Sequence, residues 1–173
     1  MTHRRILYFV LFAATQLLQA FLFNNLTLSV WFNPLIYVAF IILLPLDIPP
    51  VVLLLLGLLT GVTMDWATGG AGLNTAATLP VALLRPALID SFYGHENARE
   101  GGIPSVARFG SRRFLEYLVT MVAVHHALFF LLESLSWSHL LHTVVRIAVS
   151  GAVSVGFIWL IARIFTSKLS VRV

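Results

Sequence analysis

Asp65 stands where an apolar run ends. The stretch "VVLLLLGLLT" carries no charge, and it leads into "GVTMDWATGGAG", which brings a carboxylate, then Trp66, then glycines at 69, 70 and 72. A carboxylate in that place can cap the turn through hydrogen bonds or contact a ligand or partner. Both readings stand at this point. Gly57, Gly61 and Asp65 recur at i, i+4 and i+8, so a helix puts them on one face, and Gly57 with Gly61 forms a GxxxG pair that lets another backbone approach closely. Arg85, followed by Pro86, lies inside another apolar run, where it either snorkels to the interface or pairs with a carboxylate at similar depth, Asp47 or Asp90. Arg146 is expected to pair with Asp65 or Glu133.

The histidines are the other candidates for chemistry. His125 and His126 are adjacent, so on a helix they point about 100° apart and form no two-ligand metal face. Packed, hydrogen-bonded imidazoles are expected instead. His139 and His142 have i, i+3 spacing near Glu133, but they lack a fourth ligand and any HExxH pattern, so no metal is expected. The chain has no cysteine, which excludes thiolate metal sites, disulfides and a cysteine nucleophile. There is no GxSxG, no Walker loop and no pair of carboxylates in the middle of an apolar segment. No catalytic residue and no cofactor is assigned. Gln16 and Gln19 share a face and are expected to hydrogen-bond between helices, while Ala148, Ala152 and Gly156 make a small-residue packing stripe.

The elements that must position these residues follow from composition. Of 173 residues, 59% are hydrophobic and 10% charged, against about 25% charged in an ordinary soluble domain. The chain reads as an all-α membrane protein. A span needs about 20 apolar residues to cross about 30 Å of hydrocarbon, so the length suits roughly six spans and no sizeable soluble domain. Apolar segments fall at 6–23, 34–46, 49–66, 73–92, 114–133 and 140–165, within one domain over 1–173. Asn33 and Pro34 suit a helix start, and "PLDIPP" suits a break between two spans. The N-terminal run is long for a signal peptide and "QAFLFNN" lacks a small-x-small cleavage pattern, so it reads as a retained first span.

Charge sets the expected orientation. Arg4 and Arg5 precede the first span, Arg99, Arg108, Arg112 and Arg113 lie between the fourth and fifth, and Lys168 and Arg172 follow the sixth. Positive-inside topology makes all three clusters cytoplasmic, with both termini inside and a flexible cytoplasmic loop over 94–113. Parity agrees with four spans before the middle cluster and two after it. Trp31, Trp66 and Trp137 then fall at outer ends, and Tyr8, Tyr93, Tyr117 and Trp159 toward inner ends. The formal net charge of +4 is spread as flanks of apolar segments and makes no stripe, so nucleic acid is not an expected partner. The lipid bilayer is.

The stretch "GLLTGVTMDWATGGAGLNTAATLPVALL" resembles the signature of the rod shape-determining protein MreD family. "FNPLIYVAFIILLPLDIPP" resembles that family's second span and prolyl hairpin, and "LLRPAL" is similar to a form of its fourth span. The resemblance covers residues 33–90 and extends to the size and span number of the whole chain. It implies a multi-pass protein of the bacterial inner membrane with no known catalysis. It further implies work beside MreC, the MreB filament and the synthase pair of RodA and a class B penicillin-binding protein. It places Gly57, Gly61, Asp65, Trp66, Gly72, Asn74 and Arg85 in a structural core or partner-binding role. The family is similar in fold to the six-helix substrate-binding subunits of energy-coupling-factor (ECF) transporters. A vitamin-type transporter subunit is therefore the alternative, with Asn74, Thr75, Thr78 and Gln19 as pocket candidates.

Overall fold

The computed structural model describes residues 2–25, 32–134 and 140–170. Trp31, Trp137, His139, the Lys168 side chain and Arg172 lie outside the described residues. No strand occurs among the described residues. Helix α1 (Thr2–Leu17) continues through a π-helical turn (Leu18–Leu22) and a 3₁₀ turn (Phe23–Asn25). A single short turn, α2 (Ala39–Ile42), precedes α3 (Pro50–Thr68) and α4 (Leu73–Tyr93). Short helices α5 (His95–Arg99) and α6 (Val106–Phe109) lead to the long α7 (Ser111–Ser134) and α8 (Leu140–Ser170).

Among the described residues, four helical stretches are long and apolar enough to cross a membrane: α1 with its extension, α3, α7 and α8. Helix α4 has the length, but Arg85, Asp90 and its polar first turn lower its hydropathy. Apolar side chains cover the outside of the bundle, with Phe9, Phe21 and Trp66 each more than 70% exposed. That is the arrangement a lipid solvent calls for.

The segment 34–46 corrects the sequence reading. Instead of a second helical span, it has only the four-residue α2 and is otherwise irregular. Leu35 to Leu44 are each at most 4% exposed, so this piece is the centre of the fold and has no lipid face. Geometry gives the reason. A helix over 34–46 would be about 20 Å long at 1.5 Å per residue, short of the roughly 30 Å hydrocarbon layer. An extended chain rises more than twice as far per residue.

Around this segment α4, α7 and α8 pack as consecutive neighbours, and α3 pairs with α4. One core holds Val38 to Leu44 against Leu53, Val81, Tyr117, Met121 and Ile158; a second, near the far ends of α3 and α7, joins Leu35, Tyr37, Met64 and Phe130. The expected flexible loop at 94–113 also differs. It folds into α5 and α6 and docks on the segment's end: Leu46 N–H donates to the Gly102 carbonyl at 2.9 Å, Phe109 stacks on Tyr93, and Arg108 pairs with Glu100 at 3.1 Å.

Candidate functional site

Two polar constellations hold this architecture, and the sequence points to parts of both. The first is the α3–α4 hairpin. Helix α3 ends at Gly69 in the left-handed conformation, φ 66°, and Gly70 N–H donates to the Asp65 carbonyl at 2.9 Å. Helix α4 starts after Gly72, φ 92°, which has no side chain to cap it. Asp65 supplies the cap from the preceding helix. Its carboxylate accepts from Asn74 N–H at 2.9 Å, Asn74 Nδ2 at 3.0 Å, Thr75 N–H at 2.9 Å and Thr75 Oγ1 at 2.5 Å. Two of the orphan N–H groups at the start of α4, those of Asn74 and Thr75, are thereby satisfied by an anion, where the helix dipole favours one, and Leu73 N–H donates to the Gly70 carbonyl at 2.9 Å.

The glycines make that reach possible. A Cβ on Gly61 would lie 2.4 Å from Thr75 Cα, and one on Gly57 would lie 2.9 Å from Ala82 Cβ. The GxxxG face therefore meets α4 of the same chain. Gly57, Gly61, Asp65, Gly72 and Asn74 act together as one hairpin, whereas Trp66 points away from it, 89% exposed. Removing the cap in Asp65→Ala is expected to destabilise the folded protein by about 2 kcal/mol, with Asp65→Asn intermediate because one oxygen remains. Thermal unfolding in a mild detergent checks the order.

The second constellation surrounds the irregular segment. Buried non-helical backbone must find partners for its N–H and C=O groups, and here side chains from the neighbouring helices supply them. Gln19 of the α1 extension accepts from Ile36 N–H at 2.6 Å and donates to the Pro34 carbonyl at 3.1 Å. Ser150 and Ser154 of α8 accept from Asn33 N–H and Leu35 N–H, each at 3.0 Å. His126 Nδ1 sits 3.0 Å from the Val122 carbonyl, which can only accept, so that nitrogen carries the proton. Its Nε2 then accepts from the Ser154 hydroxyl at 2.9 Å. His125 Nε2 contacts the Tyr37 hydroxyl at 3.0 Å, and Thr78 joins both while donating to the Asn74 carbonyl. The Asn74 backbone links the two constellations.

At the other end of the segment lies Arg85, 1% exposed. Its expected partners Asp47 and Asp90 are replaced by backbone: the guanidinium donates to the Pro45 carbonyl at 3.2 Å and to the Leu44 carbonyl. Tyr117 Oη donates to the Ile42 carbonyl at 3.0 Å. Asp90 instead contacts His95 at 3.0 Å. Arg85 is thus a cap for the end of the interior segment, and no ion pair forms there.

The remaining expectations divide. Arg146 pairs with Glu133 at 2.7 Å, one of the two carboxylates expected, and lies over the Phe130 ring. The Glu133 side chain is about one-third exposed, so Arg146→Ala is expected to destabilise by only about 1 kcal/mol, read by the same unfolding assay. Gln16 donates to the Thr60 carbonyl at 3.3 Å, the interhelical bond expected of it. The stripe Ala148, Ala152 and Gly156 faces outward and does not pack inside the chain; a Cβ on Gly156 would meet nothing within 4 Å. Sequence reasoning missed Ser150 and Ser154. Their i, i+4 spacing in an apolar helix was the available signal. Compared with known proteins, the chain matches no family model, no curated protein and no solved structure.

Proposed function

We propose that this chain is a non-catalytic scaffold of a bacterial cell-elongation complex and belongs to the MreD family. In this reading it spans the inner membrane six times, with the segment 34–46 as the second crossing and both termini in the cytoplasm. It binds MreC and links it to MreB and to the synthase pair of RodA and a class B penicillin-binding protein. The observation that carries the reading is the hairpin. Of the residues on which the resemblance rests, Gly57, Gly61, Asp65, Gly72 and Asn74 build the α3–α4 hairpin, Arg85 caps the interior segment and Trp66 faces outward. A motif spent on architecture suits a protein whose task is to present surfaces, and the outward apolar face of α3, with Leu55, Val62 and Trp66, is available to lipid or to a partner helix.

One observation favours the transporter-subunit reading. Broken, non-helical backbone inside a membrane is where transporters build substrate sites, and 32–38 is such backbone. Against it, Asn33, Pro34, Leu35 and Ile36 already bond to Ser150, Gln19 and Ser154. Depleting the protein in its own host distinguishes the two. The scaffold reading expects rod-shaped cells to round up while vitamin uptake holds; loss of uptake with unchanged shape would reverse the assignment.

A further inference from the structure

An open groove of about 690 Å³ lies between α1 and α3, within the roughly 300–1,000 Å³ range of ligand sites. Its polarity is graded. Arg4, Arg5 and Asp47 line one end, Tyr8 follows, and the rest is apolar, with Phe9, Val52 and Leu56 on the walls and Phe12 against Phe40 at a ring distance of 5.1 Å below. The Tyr8 hydroxyl is buried and lies close to the Arg4 guanidinium. Beyond the apolar end, the Gln16 bond to the Thr60 carbonyl ties α1 to α3. From Arg5 to Gln16 is roughly 16 Å of helix, about the depth of one leaflet.

We propose that this groove holds an anionic phospholipid, with its phosphate at Arg4 and Arg5 and one acyl chain along Phe9, Val52 and Leu56. The argument is charge and shape together. Two guanidiniums against one carboxylate leave the polar end net positive, and charge is confined to that end, as an amphiphile with one anionic head requires. A protein helix would leave that net positive charge unmatched unless it carried an acid at that one level. Arginine also suits phosphate because its planar fork donates two parallel hydrogen bonds. Basic pockets between spanning helices on the cytoplasmic side are a recognised way to hold anionic headgroups, and the proposed orientation puts this groove in that leaflet. The inference rests on the proposed orientation and not on the scaffold role, because the binding it predicts belongs to the isolated chain.

The test is native mass spectrometry of the purified full chain in mild detergent, titrated with dioleoyl phosphatidylglycerol or dioleoyl phosphatidylcholine. Wild type is expected to retain phosphatidylglycerol about tenfold better. In the Arg4→Gln, Arg5→Gln double variant, whose substituted side chains are exposed, that preference is expected to vanish while the chain stays monodisperse. Leu56→Trp, which fills the wall and leaves the arginines, is expected to weaken both lipids. Equal retention of the two lipids by wild type, or a preference that survives the double substitution, overturns the proposal. So does a protein adduct in place of a lipid adduct when a photocrosslinker at Val52 is activated in host membranes.

Discussion

Gly61→Leu is expected to yield no monodisperse folded protein, and Gly61→Ala to lower Tm in detergent by roughly 3–10 °C, equivalent to about 1–3 kcal/mol. The contact that causes this is backbone. An added Cβ would sit 2.4 Å from Thr75 Cα and 2.9 Å from Thr75 N, so relief requires α4 to move as a body. That movement also breaks the cap, because Thr75 gives both its N–H and its hydroxyl to Asp65. Packing and hydrogen bonding thus fail together. Gly57→Ala meets a side-chain methyl of Ala82 at 2.9 Å and is expected to be milder; Gly156→Ala meets nothing and is expected to be neutral. A flat response across the three alanine variants would show that close α3–α4 approach does not hold the hairpin.

Arg85→Met is expected to destabilise by roughly 1–4 kcal/mol, because the buried Leu44 carbonyl loses its donor, at about 1–3 kcal/mol for an unpaired buried acceptor, and the part-buried Pro45 carbonyl loses one at smaller cost. Arg85→Lys keeps the charge but cannot fork across two carbonyls, so only part of the loss should be recovered. The informative control is Asp47→Asn. If Arg85 acted as half of an ion pair, neutralising Asp47 would hurt nearly as much; with backbone as its partner, a change within about 0.5 kcal/mol is expected. Thermal unfolding of the three variants in one detergent separates these cases.

The contrast between those two predictions shows what the sequence made legible. The hairpin was readable because its logic is local: a small-residue face at helical spacing, a carboxylate on the same face, glycines for the turn, and a first turn of α4 only nine and ten residues further on. The pairing of Arg146 with Glu133 was readable from depth along adjacent helices. The interior segment was not. A continuous apolar run such as "LIYVAFIILL" looks alike as a helix or as buried extended chain, and only the arrangement of Gln19, Ser150 and Ser154 around it shows which backbone groups need partners. Read as a helix, the segment does not show which of its backbone groups need partners, and snorkelling or a carboxylate partner is then the expectation for Arg85. The groove beside Arg4 was illegible for a related reason, since it depends on how α1 leans from α3, which no pattern within either helix records.

The proposed scaffold role and the architectural reading of the Asp65 hairpin can be tested together. The most direct test is affinity purification of the tagged protein from its own host in mild detergent, with mass spectrometry of its companions, for wild type and Asp65→Ala at matched membrane levels. The account predicts recovery of MreC and the RodA synthase with wild type, and with Asp65→Ala in proportion to the folded protein that remains. Recovery of a transport ATPase and its coupling subunit, with no elongation proteins, would contradict it.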